Sequence, residues 1–152
     1  MKLYLDSCCY NRPYDDQTQE RIHLEAEAVL AIISKTKENN DEIIGSAALD
    51  FELQQITDNE KQEKVEDFYE QAIDRKVEYS NAIFERVKEL SKQTNIRTLD
   101  RFHLCFAENA GVDILLTTDD KFEKACLKLN LNMKIINPLD FLMEAIRNEY
   151  NN

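Results

Sequence analysis

Tryptophan is absent from this chain of 152 residues, glycine and proline occur twice each, and there are two histidines and four cysteines. So little glycine and proline argues against an all-β chain of many turns, and with 43% hydrophobic residues disorder is not expected. The length suits one well-packed domain over residues 1–152 and is short for two. No run approaches the roughly 18 apolar residues of a membrane span. The amino terminus opens on a strand-like segment without a basic region, an apolar core or a cleavage site, which leads to the expectation of a soluble cytoplasmic protein. Cys8 and Cys9 are adjacent while Cys105 and Cys126 lie far off in helical patterns, so neither zinc-ligand spacing nor a disulfide framework is present. Excess positive charge is lacking too: 19 Lys and Arg against 30 Asp and Glu give a formal net charge of −11. That disfavours indiscriminate binding to nucleic acid, whose affinity comes mainly from phosphate neutralisation.

What is present is helix-forming sequence punctuated by short apolar runs. "KLYLD" reads as a buried strand ending at Asp6, and "SCCYNRPYDDQ" as a loop. From about Thr18 to Thr36, Ile22, Ala26, Val29, Leu30 and Ile33 share one helical stripe. "DEIIGS" is a second strand, after which Ser46 caps a helix carrying Leu49, Glu52, Leu53 and Ile56. A helix with Val65, Phe68, Tyr69 and Ala72 follows, then a brief strand at "KVEYS". Ser80 or Asn81 caps a helix with Ile83, Val87 and Leu90 inward, and Thr98 opens another that runs to Gly111. "VDILLTT" has the apolar run of a buried parallel strand, and a helix at "DDKFEKACLKL", a strand at "KIIN" and a helix from Pro138 complete the alternation. The predicted fold is α/β, a three-layer α/β/α sandwich on a mostly parallel sheet.

In such sheets ligands bind at the carboxyl ends of the strands. Asp6 ends the first strand and Asp119 follows "DILLTT", while Asp100 and Glu52 sit in helices beside strands, so the four acids are candidates for one crevice. Such a cluster needs a neutralising charge, and a hard divalent cation, Mg²⁺ or Mn²⁺, suits carboxylate oxygens and phosphoryl chemistry. A strand-end aspartate taken singly is equally well explained as a helix cap.

"LYLDSCCYNRP", "IIGSAALDFEL", "TLDRFHLCFAENAGVDILLTTDDKF" and "KIINPLDFL", in that order, resemble a PIN-domain protein, the group that includes the metal-dependent VapC-type ribonuclease toxins of toxin–antitoxin pairs. The resemblance implies an endoribonuclease that hydrolyses RNA phosphodiesters with Mg²⁺ or Mn²⁺, with Asp6, Glu52, Asp100 and Asp119 as its catalytic and metal-site acids. It places Ser7 and Thr117 behind them, orienting carboxylates or waters. For toxin-type members it implies an antitoxin partner and a homodimer built through helices, for which the long amphipathic helix and "FLMEAI" offer apolar surface. The alternatives are a binding module without turnover, or a metal-dependent phosphatase or small-nucleotide hydrolase.

The remaining expectations are local. Glu52 is preferred to Asp50 and Asp119 to Asp120, and Asp15 and Asp16 are read as helix-start residues. Arg12, Arg97, Arg101, Lys121 and Lys124 lie close in sequence to the acidic motifs, with Arg12, Arg101 and Lys121 the candidate phosphate contacts. His103 is expected to pack and be satisfied by a neighbour, and His23 to lie at the surface. Phe51, Phe102, Phe106, Phe122 and Phe141 are assigned to the core, and Tyr10 and Tyr14 are the aromatics placed nearest a substrate.

Overall fold

Leu3, Tyr4 and Leu5 are fully buried in strand β1 (Lys2–Leu5), which lies at the centre of a five-stranded sheet of order β3-β2-β1-β4-β5. The computed structural model describes residues 1–151. The other strands are β2 (Glu42–Ser46), β3 (Arg75–Val77), β4 (Ile114–Leu116) and β5 (Lys134–Ile136), and every pairing is parallel. A parallel sheet covered on both faces needs apolar residues at consecutive positions, and Ile43, Ile44, Leu115 and Leu116 provide them at no exposure. "KVEYS" contributes only its first residues to β3, because Ser80 leaves the strand to cap the next helix.

The helices are α1 (Ser7–Asn11), α2 (Glu20–Glu38), α3 (Ala47–Gln54), α4 (Asn59–Ala72), α5 (Asn81–Ser91), α6 (Thr98–Asn109), α7 (Asp120–Cys126) and α8 (Pro138–Asn151). After β1 the chain builds the sheet in one direction through β2 to β3, then crosses back through α5 and α6 to β4. Right-handed crossovers therefore put α2 and the α5–α6 pair on opposite faces, giving the three-layer α/β/α sandwich expected. The switch in direction falls between β1 and β4, the position where open α/β sheets form a crevice. Gly111, at φ 71°, ends α6 in the left-handed conformation that glycine adopts without a Cβ clash.

Several sequence expectations need correction. "SCCYNRPY" is not a loop: the Asp6 side chain accepts from the Ser7 N–H and starts α1, and Arg12–Tyr14 forms a 3-10 turn with Pro13 in its first positions. In α2, Leu30 is 44% exposed because Ala26, Val29, Ile32 and Ile33 fill the inward stripe one step away. Phe51 is 52% exposed on the outer face of α3, whereas Phe106 and Phe122 are buried and Phe102 and Phe141 pack partly on the core. Tyr10 is wholly buried, edge-on to Phe68 and Tyr69, and so does not meet solvent; Tyr14 lies against Phe68 and keeps an exposed edge. The four cysteines are free, and burial pushes the Cys105 and Cys126 thiols up to about 12. No described helix is long and apolar enough to cross a membrane. α8 turns Phe141 and Leu142 towards the core and leaves Met143 and Ile146 exposed.

Gly45 in β2 is a packing requirement. A Cβ there would stand 2.6 Å from the Tyr69 hydroxyl and 2.7 Å from Ile73 Cδ1. That hydroxyl accepts from the Ser46 N–H at 3.1 Å and donates to the Ser46 carbonyl at 3.2 Å, so it cannot yield freely. Gly45→Ala is expected to cost about 1–3 kcal/mol, read as a lowered urea midpoint. An unchanged midpoint would show that Tyr69 and Ile73 have room to move.

Candidate metal centre

The carboxyl ends of β1 and β4 place their following residues at one point. Asp6 leaves β1 with its N–H on the Leu116 carbonyl at 2.9 Å, which locks the end of one strand to the other. Its Oδ1 accepts from the Ser7 N–H at 2.8 Å and its Oδ2 from the Thr117 hydroxyl at 2.9 Å. Thr117 is buried and also accepts from the Asp119 N–H at 3.1 Å, so one hydroxyl ties the two strand ends together. Cys8 Sγ sits 3.5 Å from both Asp6 Oδ2 and the Thr117 hydroxyl.

Two helices bring further groups in. The first turn of α6 carries Asp100, only 6% exposed, and one turn later His103, wholly buried. α3, capped by Ser46, projects Glu52 towards them. His103 Nε2 lies 3.1 Å from Glu52 Oε1 and 3.9 Å from Asp6 Oδ1. One ligand atom from each of Asp6, Asp100 and His103 lies within 4.8 Å of the others. Arg97 closes this cluster from the solvent side, its guanidinium reaching Asp100 at 3.0 and 3.3 Å and Glu52 Oε2 at 3.5 Å.

The electrostatics are those of crowded acids. Burial raises the Asp6 carboxyl above the ordinary range; His103 opposes this, while the charges of Glu52 and Asp100 add to it. Burial also acts to raise Glu52, but the hydrogen bond and charge of His103, the Ser7 hydroxyl and Arg97 together hold it below the ordinary value. For His103, burial acts downward and is outweighed by the Glu52 hydrogen bond and the charges of Asp6, Glu52 and Asp100, so its pKa is raised. Two buried aspartates plus a half-buried glutamate, with one arginine spread over two of them, leave uncompensated negative charge. The donor set fits a hard divalent cation, since Asp6 and Asp100 offer oxygens at the point where that charge is concentrated.

The other sequence-nominated residues fall in different places. Asp119 is exposed and caps α7, its Oδ1 accepting from the Lys121 and Phe122 N–H groups at 3.0 and 3.1 Å. It lines a cavity of about 630 Å³ together with Arg97, Asp100, Lys121 and Lys128, so Asp100 belongs to both the cavity and the buried cluster. Asp120 turns away to Arg21, Asp50 to Lys76, Asp15 to Arg12 and Lys61, and Asp16 to Thr18. Arg12 is turned inward, with Nε on buried Glu25 and a terminal nitrogen on Asp15, both at 2.9 Å. Arg101 contacts the Thr98 hydroxyl at 2.8 Å rather than the acids. Lys124 is exposed in the last turn of α7, and His23 is exposed, as expected.

Sequence reasoning ranked His103 as a packed histidine, and it is packed, but its satisfying neighbour is Glu52 itself. The signal was available. Asp100 and His103 stand three apart, one helical turn, so a helix that aims one into the crevice aims the other there too.

A family model described as PIN domain matches residues 4–128. None of the curated proteins matches the chain in sequence. Among solved structures, the crystal structure of FitAcB from Neisseria gonorrhoeae superposes with a TM-score of 0.59 at 15% identity, covering 90% of this chain and 97% of that one.

Proposed function

The chain belongs to the PIN-domain family, whose members are generally nucleases and bind divalent metals, and on that premise we propose that it is a Mg²⁺- or Mn²⁺-dependent endoribonuclease. The observation that carries the reading is the convergence of Asp6, Glu52, Asp100 and His103 on one point at the ends of β1 and β4. When bound, the ion would activate a water for in-line attack on phosphorus and stabilise the leaving oxygen. Asp6 and Asp100 would hold it, Asp6 already oriented by Thr117 and the Ser7 N–H. Glu52, kept ionised by His103 and Arg97, lies beside that point and positions the water. Asp119, which lines the adjoining cavity together with Asp100, would complete the set of acids around the ion. Arg97, 66% exposed at its side chain, exchanges its carboxylate partners for the incoming phosphate, and Lys121 and Lys128 grip the strand along the cavity. The few cations on an acidic protein give weak, selective binding to RNA.

The toxin form of this reading adds an antitoxin-type protein that covers the crevice and a homodimer, both measurable by light scattering of the protein alone and with such a partner. The deciding experiment incubates single-stranded and structured RNA with the protein and Mg²⁺, Mn²⁺ or EDTA. Cleavage is expected only with the ions. Cleavage that persists in EDTA would overturn the metal dependence, and turnover of a small phosphate ester with RNA left intact would overturn the ribonuclease reading in favour of a phosphatase.

Stability offers an independent check. An ion that binds only the folded chain stabilises it by about 2.7 kcal/mol at a hundred times its Kd. The melting temperature of the protein should rise with Mg²⁺, and that of Asp100→Asn should not. Equal rises in both would place the ion away from Asp100.

A further inference from the structure

Behind Glu52 runs a buried line of hydrogen bonds that the metal-site reading leaves unused. His103 Nδ1 lies 2.6 Å from the Tyr4 hydroxyl, which lies 2.7 Å from Ser46 Oγ. All three side chains are fully buried, on α6, β1 and β2 respectively. Ser46 Oγ in turn accepts from the Leu49 N–H at 3.1 Å, the cap of the helix that carries Glu52.

The chemistry of each member gives this line a direction. Ionised Glu52 only accepts, so the proton between it and His103 belongs to Nε2. In a neutral imidazole Nδ1 is then an acceptor, and the Tyr4 hydroxyl donates to it. Tyr4 oxygen is left to accept the Ser46 hydroxyl proton, and every donor has an acceptor. The reverse order would place the His103 proton on Nδ1 and send the Tyr4 proton to Ser46. Ser46 Oγ would then receive from both Tyr4 and Leu49, with no acceptor among the described residues for its own proton. It would also bring a bare Nε2 against a carboxylate oxygen 3.1 Å away.

We propose that Ser46, Tyr4 and His103 form a directional relay that positions Glu52, with His103 acting as donor to Glu52 Oε1 and not as a metal ligand. Oε1 is thereby held against the imidazole, and Oε2 is the oxygen offered to the cation or its water. His103 and Tyr4 are positioning residues, acting on the reaction through Glu52. The inference rests on the metal-dependent reading of the site but predicts a property of the protein that is read without RNA.

The test is a nitrogen-15 NMR measurement of the imidazole groups in the intact protein with saturating Mg²⁺ in mildly alkaline buffer. There are only two histidines, and exposed His23 serves as the reference. The proposal requires His103 to carry its proton on Nε2. A proton on Nδ1, as direct coordination through Nε2 demands, overturns it, and so does a proton on both nitrogens. Calorimetry supplies a second arm: Tyr4→Phe, which touches no acid of the site, should weaken Mn²⁺ binding by about tenfold. His103→Gln, which retains an N–H donor, should lose less affinity than His103→Leu; equal affinity of Tyr4→Phe and the parent overturns the relay. Absence of RNA cleavage with the Nε2 proton in place would remove the nuclease reading alone, whereas active protein with the Nδ1 proton would remove the relay alone.

Discussion

Asp6→Asn is expected to lower kcat/KM for RNA cleavage by about a thousandfold, equivalent to roughly 4 kcal/mol of transition-state stabilisation, while raising the melting temperature of the metal-free protein. The two effects share one cause. Asparagine keeps an oxygen for the Ser7 N–H and nearly the same shape, but removes a charge that burial and the neighbouring Glu52 and Asp100 make unfavourable. The folded-state pKa of Asp6 is raised above its ordinary 3.8, so the folded chain holds that proton more tightly than the unfolded chain does. The resulting destabilisation is fully present above the folded pKa and is relieved as pH falls towards 3.8. Metal-free parent protein should therefore lose stability as pH rises through the folded pKa of Asp6, and the variant should lack that component. Thermal melts at several pH values, without ion and with Mg²⁺, read both effects. A variant that melts lower than the parent without metal, or retains cleavage within tenfold, would mean that Asp6 is a structural cap and not part of a charged site.

Glu25→Ala carries the largest expected loss of stability. Glu25 is wholly buried in α2, and its carboxylate accepts from Arg12 Nε at 2.9 Å, Arg21 Nε at 3.2 Å and Asn137 Nδ2 at 2.7 Å. These donors come from the 3-10 turn, from α2 itself and from the entry to α8, so one side chain joins three segments. Removing it leaves the buried Asn137 amide and the inward Arg12 Nε without their acceptor, at a cost of about 3–5 kcal/mol, while Arg21 keeps Asp120. For a chain of this size that is a fall of roughly 10 °C in melting temperature. Differential scanning calorimetry measures it, and a loss below about 1 kcal/mol would show that Arg12 re-pairs in solvent.

Glu25 also marks where the sequence ceased to be legible. Its helix was identified from apolar spacing, and the inward stripe of Ala26, Val29 and Ile33 is buried as expected. Nothing in that periodicity distinguishes an acid on the buried face from one on the wet face, and with it the inward turn of Arg12 was missed. The same limit applies at the site. Asp6 and Asp100 can be nominated because strand ends and helix starts are local features, readable from apolar runs and capping residues, and Glu52 because its helix follows a strand. The connection of Glu52 to His103, Tyr4 and Ser46 draws on β1, β2, α3 and α6 at once, and no local pattern encodes a contact between residues 4 and 103. Tyr10 failed for a related reason: a tyrosine in a polar-looking segment reads as exposed until the helix beneath it is known to face Phe68 and Tyr69.

The position of β1 between β2 and β4 sets the order in which the protein acquires its properties during folding. On one side Leu3 pairs with Ile43, and on the other with Ile114. The hydroxyl that holds Asp6 is 111 residues further along the chain, so contacts of high sequence separation must close before the crevice exists. Until then Leu3 and Leu5 lie on a strand with one open edge, the arrangement that invites pairing with another chain. A chain that ends before β4 is therefore expected to lack the site and to aggregate, and the folding step that seats β4 against β1 confers solubility and chemistry together.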